Sequence, residues 1–288
     1  MSIVIAVLAL GGLALVLALM LVIANRKLYV YEDPRIDVVE DLLPHANCGA
    51  CGYPGCRPFA EALVSGEILP GKCTVSSEEG RVEIAAYLGV ALGAEEKFVA
   101  RLACAGGTNV ALNRARYQGL ESCQAASLVS GGGKGCFWGC LGFGDCDVAC
   151  DFDAIHMDAH SLPVVDLEKC TACGDCVEVC PKDLFSLEPV SHQLWVACKS
   201  LEEGDEILED CQVACTACGR CAMDAPDNLI VMENNLPVIN YSGNHLTQDP
   251  IQRCPTGAIV WLDQKLGAIK GRESKKIVRQ GHRKMGYS

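Results

Sequence analysis

The stretch CTACGDCVEVCP, residues 170–181, places cysteines at positions 170, 173, 176 and 180 and a proline at 181. This spacing lets one short loop wrap a [4Fe–4S] cube with three thiolates, while the fourth thiolate reaches a second cube. Pro181 ends the loop where the chain turns away. A zinc ribbon would use two separated Cys-x2-Cys pairs, often with histidine, and no histidine lies at ligand spacing in this run. The stretch therefore predicts iron–sulfur clusters and argues against zinc.

A second cysteine run precedes this one and can supply its partners. Its members are Cys136, Cys140, Cys146 and Cys150. Phe143 stands where a bacterial ferredoxin run has its middle cysteine. Because such runs exchange their fourth ligand, we expect two clusters with crossed ligands. One predicted cluster is held by Cys136, Cys140, Cys146 and Cys180. The other is held by Cys150, Cys170, Cys173 and Cys176.

An internal repeat covers both runs. Positions 123, 136, 140 and 146, shifted by 75, all fall on cysteines, at 198, 211, 215 and 221. With a shift of 74, Cys180-Pro181 falls on Cys254-Pro255. We therefore interpret residues 123–190 and 198–264 as two copies of one ferredoxin-like module.

The second copy retains the ligands of one cluster and lacks those of the other. The retained set is Cys215, Cys218, Cys221 and Cys254. The positions that match the ligands of the other cluster carry Ala225, Asn244, Thr247 and Pro250. If ligands are crossed between two clusters, the loss of one cluster removes all four of its ligands and leaves the other four in place. The second copy should therefore hold a single cube.

A separate cysteine group lies nearer the N-terminus, where residues 47–56 read NCGACGYPGC. Its members are Cys48, Cys51, Cys56 and Cys73. The interspersed glycines let the backbone fold closely around a cluster and offer amide donors to sulfide. Four thiolates without histidine favour a [4Fe–4S] cube, with a structural zinc site as the alternative.

Twenty cysteines in a long chain without a secretory signal are better explained as metal ligands than as disulfides. Sixteen of them are assigned above to four [4Fe–4S] clusters. The remaining ones are Cys104, Cys123, Cys198 and Cys211. They are either buried or vestigial thiols carried along by the duplication, or ligands or shields of a neighbouring cluster. The interpretation as ligands or shields rests on a repeated spacing: twelve residues separate Cys123 from Cys136, and twelve separate Cys198 from Cys211.

The N-terminal segment has the properties of a membrane anchor. Residues from Ile3 to Ala24 carry no charge. As a helix they would extend about 33 Å, enough for a bilayer core of about 30 Å. No basic residue precedes them, unlike in a cleavable signal peptide, and Arg26 and Lys27 follow. By the positive-inside rule we expect a single-pass protein of the cell (inner) membrane with cytoplasmic C-terminal domains, where thiols stay reduced.

Composition and missing motifs exclude several functions. The 288 residues carry a net charge of −12, which argues against nucleic acid as a main partner. The sequence lacks both a dinucleotide fingerprint and a Ser/His/Asp constellation. We therefore expect the chain to pass single electrons and to contain no catalytic residue.

The basic tail at 265–288 is either a solubilising end or a contact for a membrane surface or an acidic subunit.

These features predict an α+β chain with a single N-terminal transmembrane helix, a small Cys-x2-Cys-x4-Cys-x16-Cys domain and two ferredoxin-like modules. The predicted divisions are a transmembrane anchor at 1–27, an N-terminal [4Fe–4S] domain with linker at 28–95, a connecting segment at 96–135, a two-cluster module at 136–190, a one-cluster repeat at 191–264 and the basic tail at 265–288.

This combination resembles the B subunits of Rnf-type ion-translocating ferredoxin:NAD oxidoreductases. The phrases NCGACGYPGC and GCLGFGDC are similar to ones in that family, and the resemblance covers nearly the whole chain. It implies a membrane complex whose other subunits carry flavins and the nicotinamide site, with soluble reduced ferredoxin as the electron donor. The chain departs from fuller members at Ala225 and residues 244–250, so it should carry fewer clusters than they do.

Two other redox functions are compatible with the same cysteines. A polyferredoxin subunit of a membrane hydrogenase or formate dehydrogenase would carry similar modules, although the N-terminal cysteine domain argues against it. A relative that reduces a redox-sensing transcription factor would instead have a regulatory function. Within the favoured interpretation, the ferredoxin modules receive electrons and the N-terminal domain passes them towards the membrane.

Overall fold

The computed structural model describes residues 2–28, 32–93, 96–263 and 265–275, so the predicted basic tail lies outside the described residues from position 276 onward. Its mixed short helices and antiparallel strands agree with the predicted α+β class. The chain divides into two compact units. Unit 1 comprises Met1–Asn47, Pro54–Pro70 and Ser77–Leu92, and unit 2 comprises Cys48–Tyr53, Gly71–Ser76 and Gly93–Ser288.

Unit 1 begins with helix α1, Ser2–Leu28, which contains the candidate membrane span. Leu10–Leu28 form a 19-residue stretch with a mean hydropathy of 1.7, and none of it is buried within the protein. Arg26 and Lys27 lie in the last turn of the helix. A helix this apolar on every side needs an apolar environment, which fits the predicted anchor.

Three further helices form the core of unit 1. They are α2 (Arg35–Leu42), α3 (Cys56–Ser65) and α4 (Glu78–Leu88). Each contributes a side chain that is at most 1% exposed, namely Val39, Phe59 and Ile84. The Ser77 hydroxyl accepts a hydrogen bond from the Gly80 amide and caps α4.

The first ferredoxin-like module of unit 2 is built on an antiparallel strand pair. Strand β1, Phe98–Leu102, pairs with β4, Phe185–Pro189. Between them in sequence lies the hairpin of β2, Ile155–Met157, and β3, Pro163–Val165. The helices of the module are α5 (Cys123–Ser127), α6 (Asp145–Val148) and α7 (Asp175–Glu178). Residues 96–135, which we expected to connect two domains, thus supply β1 and α5 to this module.

The second module repeats this plan. Strand β5, Leu194–Val196, pairs antiparallel with β8, Ile259–Asp263, and β9, Gly267–Ile269, extends the sheet. The hairpin of β6, Ile230–Glu233, and β7, Leu236–Ile239, corresponds to the β2–β3 hairpin. The helices of this module are α8 (Ile207–Asp210) and α9 (Arg220–Asp224).

Equivalent hydrogen bonds show where the two copies begin. In the first module the Ala103 amide donates to the Leu184 carbonyl at 2.8 Å. In the second the Ala197 amide donates to the Ala258 carbonyl at 2.7 Å. These bonds continue the β1–β4 and β5–β8 pairs respectively, so β1 is the counterpart of β5.

The repeat therefore starts earlier than the cysteine spacing indicated. Because Cys104 follows β1 and Cys198 follows β5, Cys104 is the structural counterpart of Cys198, and Cys123 is not. Cys104 stands 36 positions before Cys140, whereas Cys198 stands 17 positions before Cys215. A fixed shift of 75 cannot align these pairs, because the first copy contains an insertion between β1 and its first cysteine loop.

Candidate iron–sulfur sites

Three loops in unit 2, at residues 140–144, 170–174 and 215–219, share one backbone shape. Each starts at a cysteine, has positive φ at its third residue and ends at a glycine that also has positive φ. The third residues are Gly142 (80°), Ala172 (59°) and Ala217 (57°). Helix α6, α7 or α9 follows directly. Successive amide groups in such turns form a concave surface of the kind that binds anions and iron–sulfur clusters.

The loop at 170–174 borders a cavity. The cysteines on its wall are Cys150, Cys170, Cys173 and Cys176. These are the four residues that the crossed-ligand rule groups together. The Ala100 amide donates a hydrogen bond to Cys170 Sγ at 3.4 Å, and the Ala154 amide donates to Cys150 Sγ at 3.3 Å. Amide donors of this kind stabilise thiolate charge, so the cavity fits a bound cluster.

The loop at 140–144 borders a second cavity. The cysteines on its wall are Cys123, Cys140, Cys146 and Cys180. Three of them belong to the predicted set, but Cys123 stands where we expected Cys136. The Asp145 carboxylate accepts hydrogen bonds from the Cys123 amide at 2.8 Å and the Ser122 hydroxyl at 2.9 Å. This carboxylate fixes the start of α5, and with it Cys123, next to the loop.

The sequence contained one signal for Cys123. Phe143 occupies the loop position at which Cys173 and Cys218 stand in the other two loops, so one ligand had to come from outside the run. Proximity along the chain favoured Cys136. The structure instead brings Cys123 to the cavity through helix α5, which spacing alone does not reveal.

Cys136 lines a different cavity. The other cysteines on its wall are Cys104, Cys198 and Cys211, three of the four that the ferredoxin spacing leaves unassigned. Burial, together with the charges of Cys198 and Cys104, raises the pKa of the Cys136 thiol to about 11. Burial likewise raises the pKa of the Cys211 thiol to about 12.

The second module brings together the four cysteines predicted for its cluster. Burial, together with the charges of Cys221, Cys254 and Cys218, raises the pKa of the Cys215 thiol to about 11. Such mutual effects require thiols at short range. Among the cysteines of the described ranges, Cys218 is the exposed one.

The positions of the second module that lack cysteines have other surroundings. Ala225 packs against an apolar core that includes Leu229, Cys254 and Ile251, which is 1% exposed. The exposed Asn244 accepts a hydrogen bond from the Leu246 amide at 3.2 Å. Neither position offers a thiol, in contrast to Cys150 and Cys170 of the first module.

The N-terminal cysteines are divided between the two units. Cys48, Cys51 and Cys73 belong to unit 2. There, burial raises the pKa of the Cys51 thiol, and the charges of Cys73 and Cys48 raise it further. Cys56 begins helix α3 of unit 1, where its amide donates a hydrogen bond to Asn47 Oδ1 at 2.8 Å.

A hydrogen bond inside unit 2 joins the N-terminal cysteine segment to the first module. The Thr74 hydroxyl donates to the Thr171 carbonyl at 2.7 Å. Thr74 directly follows Cys73, and Thr171 directly follows Cys170. Ligands predicted for two different clusters therefore lie one residue from the same hydrogen bond.

The spacing of the thiols indicates which kind of metal group they fit. A tetrahedral zinc ion binds sulfur at about 2.3 Å and draws its ligands to within about 4 Å of one another. In the described part of the chain, no group of three or more His, Cys, Asp or Glu side chains is close enough to hold a single metal ion. Four thiols that line one cavity without meeting at a single point instead fit a polynuclear iron–sulfur group.

A buried cation lies near the Cys170 set. Arg101 on β1 is 9% exposed, and its Nε has no hydrogen-bond partner within the described residues. Burial lowers the pKa of its guanidinium, and the charges of Tyr241, Cys170 and Glu188 oppose that shift. A nearby positive charge stabilises an added electron, so Arg101 should raise the reduction potential of a cluster held by Cys170.

Two protein-family models match the chain. The FeS model, an Fe-S cluster family, matches residues 43–75. The Fer4 model, a 4Fe-4S binding domain, matches residues 163–185. Both matches fall on segments that contain predicted ligands.

Curated relatives are similar over most of the chain. It is 40% identical to the B subunit of the Na(+)-translocating ferredoxin:NAD(+) oxidoreductase complex of Acetobacterium woodii, over 87% of this chain and 75% of that protein. It is 36% identical to the proton-translocating counterpart of Clostridium ljungdahlii, over 86% and 88%. It is 34% identical to the B subunit of the ion-translocating oxidoreductase complex of Methanosarcina acetivorans, over 87% and 95%.

Proposed function

Because the chain belongs to the family of B subunits of ion-translocating ferredoxin:NAD oxidoreductase complexes, we propose that it accepts electrons from reduced ferredoxin and relays them to the membrane subunits of such a complex. The 4Fe-4S binding domain supports iron–sulfur electron transfer by this chain. When bound, [4Fe–4S] clusters supply one-electron carriers whose potentials depend on charge, hydrogen bonding and exposure.

Four ligand sets follow from the cavities, the electrostatic neighbours and the spacing. The N-terminal set is Cys48, Cys51, Cys56 and Cys73, in which Cys56 is included on spacing. The first-module sets are Cys123, Cys140, Cys146 and Cys180, and Cys150, Cys170, Cys173 and Cys176. The second-module set is Cys215, Cys218, Cys221 and Cys254.

The crossing of ligands between neighbouring cavities is the observation that carries this proposal. Cys146 on helix α6 lines one cavity, and Cys150, just after the helix, lines the other. Helix α7 has the reverse arrangement, with Cys176 at one cavity and Cys180 at the other. Two sites tied together in this way are close enough for single-electron exchange, which favours a relay over isolated structural clusters.

Exposure suggests where electrons arrive. Cys218 reaches solvent, so a cluster in the second module is the one that soluble ferredoxin can approach most closely. The N-terminal set, which is nearest the anchor in sequence, would pass electrons to the membrane subunits. Helix α1 would cross the membrane once, and Arg26 and Lys27 would keep the cysteine domains in the cytoplasm.

Inverted membrane vesicles test this function. Vesicles from cells with and without the chain are supplied anaerobically with reduced ferredoxin, and NAD reduction is followed with and without sodium and with a protonophore. We expect activity that disappears without the chain and that responds to sodium or to the protonophore. Unchanged activity without the chain would contradict the proposal and would assign these clusters to another membrane redox complex.

A further inference from the structure

Four cysteines outside these sets share one cavity between the two modules. Cys104 and Cys136 come from the first module, and Cys198 and Cys211 come from the second. Four thiols line this cavity, as four line the cavity of the Cys170 set. In number of thiols it therefore matches the site that the ferredoxin spacing predicts most directly.

The two modules contribute equivalent residues to this cavity. Cys104 follows β1 and Cys198 follows β5, which are counterparts in the repeat. Cys136 and Cys211 are counterparts under the shift of 75. Each copy thus supplies the same pair of thiols, and the cavity lies where the two pairs meet. Duplication alone explains why the pairs are equivalent, but it does not require both pairs to line the same cavity.

The hydrogen bonds to the cavity sulfurs repeat as well. Cys104 Sγ accepts from the Gly106 and Cys140 amides, both at 3.4 Å. Cys198 Sγ accepts from the Ser200 amide at 3.4 Å and from the Cys215 amide at 3.3 Å. Two amide donors to each sulfur stabilise a thiolate and are typical of the surroundings of iron–sulfur ligands.

The backbone lies against the sulfurs. A Cβ atom at Gly106 would be 3.1 Å from Cys211 Sγ and 3.6 Å from Cys104 Sγ, so thiols from both modules meet at a residue without a side chain.

A positively charged side chain also lies at this cavity. Lys134 lines the cavity and donates hydrogen bonds to the Gly106 and Cys140 carbonyls, and its positive charge favours a thiolate at Cys136.

The chain segments on the two sides are held together directly. The Leu112 amide donates to the Asp210 carbonyl at 2.7 Å, and the Gln212 amide donates to the Val110 carbonyl at 3.0 Å. Arg114 forms a two-point ion pair with Asp210, at 2.6 and 3.1 Å. These contacts fix Cys211 in position relative to the first module.

We propose that Cys104, Cys136, Cys198 and Cys211 hold a fifth [4Fe–4S] cluster that connects the two ferredoxin-like modules. With this set, all twenty cysteines are assigned, four to each of five clusters. The shared site lies next to a ligand of a cluster in either module, Cys140 on one side and Cys215 on the other. It would therefore complete a path between the second module and the first.

Metal content of the full chain, purified anaerobically in detergent and reconstituted with iron and sulfide, tests the proposal without relying on enzyme activity. We expect about 20 iron atoms and about 20 sulfides per wild-type chain, and about 16 of each in a Cys198→Ala/Cys211→Ala variant. A Cys104→Ala/Cys136→Ala variant should lose the same number, because it removes the matching pair from the other module.

A Val213→Ala variant is the matched control. Val213 is 3% exposed and lines the same cavity, but it offers no ligand, so this variant should keep the wild-type iron content. The electron paramagnetic resonance signals of the other clusters should persist in both double variants and show that the chain has folded. About 16 iron atoms in the wild type, an unchanged iron content in the Cys198/Cys211 variant, or one zinc ion in place of iron would overturn the proposal. None of these results depends on ferredoxin oxidation, so failure of the proposed function would be seen separately.

Discussion

The amide of Cys215 donates a hydrogen bond to the Sγ atom of Cys198 at 3.3 Å, which joins two ligand sets through one backbone group. The Cys140 amide forms the equivalent bond to Cys104 Sγ. With the Thr74–Thr171 bond and the crossed helices α6 and α7, each proposed set touches the next. If the proposed sets hold clusters, those clusters follow one another in the order second module, shared site, Cys140 set, Cys170 set, N-terminal set.

The first prediction separates the sites of Cys123 and Cys136. If these residues serve different clusters, the iron losses of Cys123→Ala and Cys136→Ala should add in the double variant, to about eight atoms per chain. The control is Cys123→Ala/Cys146→Ala, in which both residues belong to one cavity and the loss should stay near four. If the Cys123/Cys136 double variant lost only about four iron atoms, Cys136 would belong to the same cluster as Cys123 and Cys140.

The second prediction concerns Arg101. Replacing it with Met removes a buried positive charge near Cys170, so the reduction potential of that cluster should fall by roughly 50 mV, equivalent to about 1 kcal/mol for one electron. A redox titration followed by electron paramagnetic resonance measures this shift. Arg116→Met removes an exposed positive charge that does not line the Cys170 cavity and should leave the potential nearly unchanged, because water screens it. Equal shifts in both variants would contradict a specific effect of Arg101.

The third prediction concerns the loop shape shared by the three cysteine runs. A Cβ atom at Gly142 would stand 2.8 Å from the Ser161 carbonyl oxygen, and the residue has φ of 80°. Gly142→Ala should therefore destabilise the protein by about 1–3 kcal/mol and lower its iron content. Ala172→Gly, at the equivalent position with φ of 59°, removes a strained Cβ and should retain full iron content. Thermal unfolding and iron analysis measure both effects, and a fully loaded, stable Gly142→Ala variant would refute the argument.

The fourth prediction concerns the order of the relay. Cys51→Ala should stop electron transfer to the membrane subunits while the clusters of both modules remain reducible by ferredoxin. Stopped-flow spectroscopy of the complex measures cluster reduction, and NAD reduction measures transfer. Ser65→Ala, on helix α3, removes no thiol and serves as the control. Continued NAD reduction in the Cys51 variant would place the N-terminal set outside the path.

The sequence predicted the family correctly, and the cysteines that it grouped around the tightest run line one cavity in the structure. The Cys170 run and its crossing partner Cys150 could be paired from spacing alone, because a short loop leaves few alternatives. Cys123 and Cys104 could not be placed in this way. Their positions depend on the Asp145 contact with helix α5 and on the pairing of β1 with β4, and both are long-range interactions that a cysteine alignment does not contain.

The cavity between the modules also constrains biosynthesis. The first pair is complete at Cys136 and the second only at Cys211, so 75 more residues must be translated before all four thiols exist. Domains generally fold from the N-terminus as the chain emerges, and clusters can be inserted only where all ligands are present. The clusters proposed for the first module need no residue beyond Cys180, whereas filling of the shared cavity must wait until Cys211 has left the ribosome. A chain truncated after the first module would be released with Cys104 and Cys136 exposed to oxygen and to stray metal ions.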